Sequence, residues 1–278
     1  MSRVAAAIIT FNNASTIENC LRSVTWADEI VVVDSCSSDA TVALCRKFTG
    51  CIHSRPFTNF GEQKNHLLSL TTTEWVLVVD ADEQVTPELA TELCDAIGRN
   101  SRPDGQPGRA HPAAKYDGYL IPRKNFIGGH WLRHGGFYPD HMLRLSRRGK
   151  GHYSDHPVHA SLQLPPSRIG RLRHCLLHFW SDSREDWERK CAYYAALEAP
   201  WLKARGSRPI RNDTLLAMRA WCKWFEIVCW KQGWLDGGPA LMLARGLANK
   251  IRLRHLRLRE LWDQPDAPLS HSPRQPGA

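Results

Sequence analysis

The sequence predicts an α/β protein built on a mostly parallel, doubly wound sheet. From Val4 to Gly98, short runs rich in valine and isoleucine alternate with helical patterns, as right-handed strand–helix–strand crossovers require. Two of those runs, Ile30–Val33 and Trp75–Val79, are apolar throughout, as strands buried on both faces are. Each run is followed at once by an aspartate, Asp34 or Asp80. The carboxyl ends of such strands open into the crevice where ligands bind.

Taken in order, Val4–Thr10 reads as a strand, and Ser15–Val24 as a helix with Ile17, Leu21 and Val24 on one face. Glu29–Asp34 is the second strand. Ser37, Ser38 and Asp39 then offer cap side chains to a helix running through Phe48. Cys51–Ser54 is a short strand, Gly61–Leu70 a helix, and Trp75–Asp80 the next strand. Pro87 suits the first turn of a helix ending near Gly98. Residues 99–115 form a turn-rich basic insert, expected to be a mobile surface loop. Beyond it, Tyr116–Arg123, His141–Arg147 and Arg171–Phe179 read as strands separated by glycine-rich loops. Ser183–Arg205 is helical, with Trp187, Cys191, Tyr194 and Trp201 along one stripe. Residues 213–262 read as two helices broken at Gly237-Gly238-Pro239. The expected organisation is a domain over 1–205, with halves at 1–98 and 116–180, a basic aromatic helical region over 206–262, and a disordered tail over 263–278.

The chain has 278 residues, enough to bury a full core, and its 37 Lys and Arg against 28 Asp and Glu give a formal net charge of +9. That excess points to an anionic partner. The nine cysteines contain no Cys-x-x-Cys pair, which argues against a zinc site or a disulfide frame and for a reducing compartment. The apolar opening Val4–Ile9 is short for a signal-peptide core and lacks a cleavage site. An intracellular protein is expected.

The chemistry begins with Asp80-Ala81-Asp82-Glu83. Carboxylates crowded at a strand end repel one another unless a cation sits among them. Hard oxygen ligands suit Mg2+ or Mn2+, which can grip a diphosphate in turn. Taken alone, the cluster also fits a strand end with solvated acids. Asp34 stands at the same height, where it can accept hydrogen bonds from a base or ribose. Lys64 sits in the first turn of a helix, against the helix dipole, which suits a phosphate target, although a solvated lysine fits as well.

Together these segments resemble the family-2 glycosyltransferases of the GT-A fold. The matching features are the first strand with Thr10-Phe11-Asn12, the loop Ile30-Val-Val-Val-Asp34-Ser-Cys-Ser-Ser-Asp39, and Asp80-Ala81-Asp82-Glu83. Trp26–Asp34, Phe60–Asn65, His134–Asp140, Leu143–Gly149 and Pro157-Val158-His159 are similar to motifs of the lipopolysaccharide core β-glucosyltransferases. The resemblance spans roughly residues 4–180, and ordered motifs at suitable spacing are more specific than any one of them.

The resemblance implies a GT-A fold, Rossmann-like, followed by amphipathic helices. It also implies inverting transfer of a hexose, glucose by the nearest branch, from a nucleoside-diphosphate sugar to a lipopolysaccharide core or related glycan. Asp34, Lys64 and Asp80 would bind the donor, and Asp82 would hold a divalent metal, Mg2+ or Mn2+. Inversion in one displacement needs a carboxylate to take the acceptor proton. Asp140, beside Gly135-Gly136 and just before a strand, is the first choice for that base, with Asp155 and Glu83 as rivals. The chain departs from the branch at Ala160, where relatives carry glutamate, and at Cys36, where they carry glycine. His159 and His178 are each readable as a late metal ligand or a structural histidine.

Residues 123–153 interleave Arg123, Lys124, Arg133, His134, Arg144, Arg147, Arg148 and Lys150 with Phe126, Trp131, Phe137 and Tyr138. Stacking rings and cations suit a phosphorylated, lipid-linked glycan acceptor. Tryptophans between 221 and 234 and the basic run 251–260 suit an anionic membrane surface, so the expected location is cytoplasmic, peripheral at the inner membrane. Three competing readings are a nucleic-acid-binding protein, a phosphatase with an aspartyl nucleophile, and a catalytically inactive membrane-associated homologue. No nucleic-acid reader motif is recognisable, so no nucleic-acid partner is expected. Gln84 departs from the phosphatase pattern, and Ala160 motivates the inactive homologue.

Overall fold

The computed structural model describes residues 2–99, 102–106, 115–181 and 183–264. The insert expected at 99–115 and the tail expected at 263–278 lie largely outside them. The chain divides into two compact units, Met1–Lys124 with Asp140–His178, and Asn125–Pro139 with the residues from Phe179 onward.

The first unit is built around β1 (Val4–Thr10), whose residues are all buried. After α1 (Ile17–Ser23), β2 (Glu29–Asp34) lies parallel to β1 with Asp34 opposite Thr10. A short α2 (Thr41–Cys45) leads to β3 (Ile52–Ser54), parallel to β2. Then α3 (Phe60–Leu70) crosses to β4 (Trp75–Asp80), parallel to β1 on its other side, with Asp80 opposite Ile9. Asp34 and Asp80 therefore flank the carboxyl end of the central strand.

Continuous apolar runs form here because helices cover both faces of the sheet. Val4, Ala6 and Ile8 pack with Ile17 and Leu21 of α1, whereas Ala7 and Ile9 pack with Leu67 of α3. Alternate residues of one strand thus enter two cores, and neither set tolerates a polar side chain. The Asn59 side chain caps α3, its Oδ1 accepting from the Glu62 amide at 2.8 Å while its Nδ2 donates to Glu62 Oε1 at 2.9 Å.

β5 (Glu83–Val85) is a short strand absent from the sequence-based expectation, and it precedes α4 (Pro87–Ala96). Then follow β6 (Gly118–Ile127), β7 (His130–Trp131), β8 (Asp140–Arg147), β9 (His152–Tyr153), β10 (Leu162–Gln163), β11 (Ile169–Arg171) and β12 (Leu176–Ser181). The strand expected over 171–179 is two strands, β11 and β12. Sheet order is β3-β2-β1-β4-β8-β6-β12-β5. β8 runs antiparallel to β4, with Leu145 opposite Leu77, and β6 antiparallel to β8, with Arg123 opposite Asp140.

The second unit carries α5 (Arg184–Ala204), α6 (Asp213–Phe225) and α7 (Gly237–Asp263). Its core joins Trp187 and Cys191 of α5 to Ala240, Leu243 and Ala244 of α7. The helix break lies earlier than Gly237-Gly238-Pro239. A π-turn over Glu226–Trp230 and a 3-10 turn over Gly233–Asp236 separate the helices, and the glycines open α7. Pro239 falls in a first turn, where its missing N–H is not needed. No helix among the described residues is long and apolar enough to cross a membrane.

Gly246 is where α7 meets α5: a Cβ there would come within 2.0 Å of Trp187 Nε1. Gly246→Ala should therefore destabilise the protein by about 1–3 kcal/mol of overpacking, against a helix-propensity gain of about 1 kcal/mol. A net fall in the urea midpoint is expected, and a rise would show that the Trp187 contact gives way easily.

Candidate active site

Asp34 ends β2 almost fully buried, at 3% exposure. Its carboxylate accepts the Ser37 amide at 2.9 Å and the Ser37 hydroxyl at 2.5 Å. The Ser37 Oγ in turn accepts the amide of Asn12 at 2.8 Å, and Asn12 Oδ1 accepts the amide of Ser38 at 2.8 Å. The loops after β1 and β2 are thereby tied together around Asp34. Ahead of α2 the Asp39 Oδ1 accepts the Thr41 amide at 2.9 Å, while the N-cap residue itself, Ala40, makes no side-chain cap. From α3, Gln63 Nε2 donates to Ser35 Oγ at 3.0 Å, while its buried Oε1 meets no hydrogen-bond partner among the described residues.

Cys36 has φ +67°, and a side chain in that left-handed region is strained by about 1–2 kcal/mol. Glycine removes the strain but loses about 0.5–1 kcal/mol more backbone entropy on folding. Cys36→Gly should stabilise the chain by about 0.5–1 kcal/mol, read as a raised urea midpoint; a lowered midpoint would mean that the Cys36 side chain is itself stabilising.

Asp80 lies among cations supplied by the chain itself. Lys64 Nζ stands 2.8 Å from its Oδ1, and Arg144 bonds its Oδ2. Arg144, only 2% exposed, also donates to Glu83 Oε1 at 2.7 Å, and Arg123 donates to the same oxygen at 3.0 Å. Glu83 is wholly buried, and its Oε2 accepts the Asp80 amide at 2.9 Å. Burial alone would raise the Asp80 carboxyl, but Arg144 and Lys64 outweigh it and hold it well below the usual range. Burial pushes the Lys64 ammonium below its ordinary value, against the pull of Asp80. Burial opposes the Arg144 charge as well, yet Asp80 and Glu83 hold it firmly on. The buried ring of Tyr153 lies beneath Lys64, 5.5 Å from its Nζ to the ring centroid.

Arg123 continues the network to Asp140. Its Nε and Nη2 both donate to Asp140 Oδ2, at 3.0 and 2.6 Å. Five of the expected residues, Lys64, Asp80, Asp82, Glu83 and Asp140, are thus carried on α3, β4, the turn after it, β5 and the start of β8. Asp155 is exposed on a bend whose neighbour Ser154 packs against Gly61 at the start of α3. Arg144 and Arg123, read from sequence as contacts for an acceptor, are instead counter-ions of the carboxylates. Arg147 lies at the other end of β4, opposite Trp75, with its guanidinium 4.9 Å from that ring.

Asp82, like Asp80, keeps about a quarter of its side chain exposed, and its Oδ1 lies 3.6 Å from His178 Nε2. Among the described residues no group of three or more His, Cys, Asp or Glu is arranged to hold a metal ion. Mg2+ binds through one or two carboxylates together with substrate phosphates, so Asp82 with a donor diphosphate is a donor set that fits it, and the imidazole of His178 would suit Mn2+ as well. Asp80 fits less well, because both its oxygens already meet cations. His159 is exposed and its amide donates to His156 Nδ1 at 2.9 Å. Ala160 is buried in the apolar cluster of Ile9, Val33 and Tyr153.

The family model described as glycosyl transferase family 2 matches residues 6–149. A lipopolysaccharide core biosynthesis glycosyltransferase, LpsC of Rhizobium meliloti (strain 1021), is 25% identical over 91% of this chain and 93% of its own length. An uncharacterized glycosyltransferase of Rickettsia felis is 37% identical over 34% of this chain, a match that spans only 33% of the Rickettsia protein. Among solved structures, S. aureus TarS residues 1–349 in complex with UDP-GlcNAc aligns over 95% of this chain and 92% of that one, with 15% identity and a TM-score of 0.47.

Proposed function

The chain belongs to glycosyl transferase family 2, with the mixed α/β GT-A architecture, and from that premise we propose that it transfers a hexose, with inversion, from a nucleoside-diphosphate sugar to a lipopolysaccharide core or related glycan. Glucose is the hexose that the branch resemblance favours. The observation that carries this reading is the carboxyl end of β1, where Asp34 and Asp80 flank the strand and Lys64 lies against Asp80. In this reading residues 1–98 bind the donor and 116–180 the acceptor, as halves of a transferase domain over 1–205. Residues 206–262 lie at an anionic membrane surface on the cytoplasmic face.

The chain's own residues divide the work. Asp34 accepts hydrogen bonds from the base, its orientation held by Ser37. Asp80, fixed by Arg144, accepts from the ribose, and Lys64 offers its ammonium to the diphosphate. Asp82 would hold the divalent metal, which supplies charge neutralisation to the departing diphosphate when bound. Asp140 takes the proton from the acceptor hydroxyl as its oxygen bonds to the anomeric carbon and the bond to the diphosphate breaks. Arg123 keeps that carboxylate aimed.

A thermal-shift panel of nucleoside-diphosphate sugars, with and without Mn2+, tests the reading. A true donor at about a hundredfold its Kd stabilises the native state by about 2.7 kcal/mol, and the shift should fall when Lys64 is replaced by methionine. Stabilisation by oligonucleotides and by no nucleotide sugar would overturn it. The inactive-homologue reading, favoured by the buried Ala160, predicts a donor shift without any transfer to a glycan acceptor.

A further inference from the structure

α6 presents two unlike faces. Leu216 and Ala220 point inward, while Leu215, Met218, Trp221 and Phe225 are each 42–57% exposed. These recur at intervals of three and four residues, which makes one apolar stripe along the helix. Trp221 and Phe225 stack with ring centroids 5.2 Å apart, and Trp230, at the end of the turn after the helix, is 80% exposed. Beside it runs a groove of about 410 Å3 between α5, α6 and α7, walled by Trp221 and Trp224 and carrying Arg184, Arg245 and Arg252. Arg184 is paired with Glu188 at 2.9 Å. Arg245 and Arg252, two turns apart on one face of α7, form no ion pair among the described residues.

Uncommitted guanidinium groups in a cleft are suited to bidentate contact with phosphate oxygens. Trp221 belongs to both the groove wall and the outer stripe, so an anion in the groove sits directly beside exposed apolar surface. That pairing of features matches a lipid more closely than a free anion: phosphate in the groove, and the stripe at the boundary between headgroups and acyl chains. We propose that this groove binds the phosphate headgroup of an anionic membrane lipid, phosphomonoesters in preference to diesters. The proposal rests on the membrane reading above and adds a saturable site to it. A phosphomonoester carries more charge and an additional free oxygen for the second arginine.

The test uses the full chain and vesicles of phosphatidylcholine alone, or mixed with phosphatidylglycerol or phosphatidic acid at matched surface charge. Wild type should pellet most strongly with phosphatidic acid and show a blue-shifted tryptophan emission there. The Arg245→Gln/Arg252→Gln variant should lose about tenfold or more of the phosphatidic acid binding. Its residual binding should match that to phosphatidylglycerol. Arg189→Gln/Arg208→Gln, with both changes outside the groove, should lower binding to the two anionic vesicles alike. An unchanged donor thermal shift shows that each variant is folded. If the groove variant binds as wild type does, the headgroup site is wrong while the membrane reading survives. If wild type pellets with no anionic vesicle, both are wrong. Sedimentation showing that the stripe instead joins two copies, with a dimer lost on Trp221→Glu, would also overturn the proposal.

Discussion

Asp82→Ala is expected to reduce kcat by on the order of 10^2–10^3 while leaving stability within about 0.5 kcal/mol of wild type. The contrast with Asp80 gives this expectation its force. Asp82, about a quarter exposed as Asp80 is, stands beside the His178 imidazole, so removing it takes away the proposed metal's protein ligand without stranding Lys64 and Arg144. Asp80 is held between Lys64 and Arg144, so Asp80→Ala strands two buried cations and should cost about 3–5 kcal/mol of stability. Asp80 also gives the stability a pH dependence. The folded carboxyl of Asp80 sits well below its ordinary value, so its stabilising contribution is fully present above the unfolded value of about pH 4 and drains away as pH falls further. Asp80→Asn should flatten acid unfolding in that window. Mn2+ titration of donor binding and urea unfolding at a series of pH values measure both. Wild-type turnover by Asp82→Ala would end the metal assignment.

Clustered acids at the end of β4 imply a cation, and that much was legible in the sequence. Which cation was not. Lys64 could be read because a helix expected to open at Gly61 put it in a first turn against the dipole, where it calls for an anion; α3 opens at Phe60 and Lys64 falls just past that turn. Arg144 and Arg123 could not, because they reach Asp80 and Glu83 only through the register of β8 on β4 and of β6 on β8. Antiparallel register depends on contacts distant in sequence, and a list of arginines between 123 and 150 looks the same whether they face solvent or a buried carboxylate. The parallel strands were legible for the opposite reason. β1 and β4 are buried on both faces, so their residues are apolar without interruption. β5 was missed because Glu83 and Gln84 carry no apolar period, and a glutamate can be fully buried there only because the arginines meet it. In the second unit the Gly-Gly-Pro triplet marked a true boundary but belonged to the start of a helix, where glycine and proline are tolerated.

Asp140→Asn is expected to lower kcat by about 10^2–10^4, the usual worth of a positioned general base, with donor affinity and its thermal shift unchanged. Asp140 opens β8 directly across from Arg123, whose guanidinium closes on a single oxygen, Oδ2, from Nε and Nη2. That contact orients the carboxylate, and asparagine preserves its shape and one acceptor oxygen while being unable to take a proton. Arg123→Lys should fall between, because lysine retains the charge but not the fork that fixes the carboxylate plane. It should also destabilise the fold, since Arg123 shares Glu83 with Arg144. Full activity in Asp140→Asn would move the proton-accepting role to Asp155, whose exposed turn leaves it accessible. It would not move it to Glu83, which is wholly buried, bonded to two guanidinium groups and to the Asp80 amide, and has no path to an acceptor hydroxyl without breaking the network that holds Asp80.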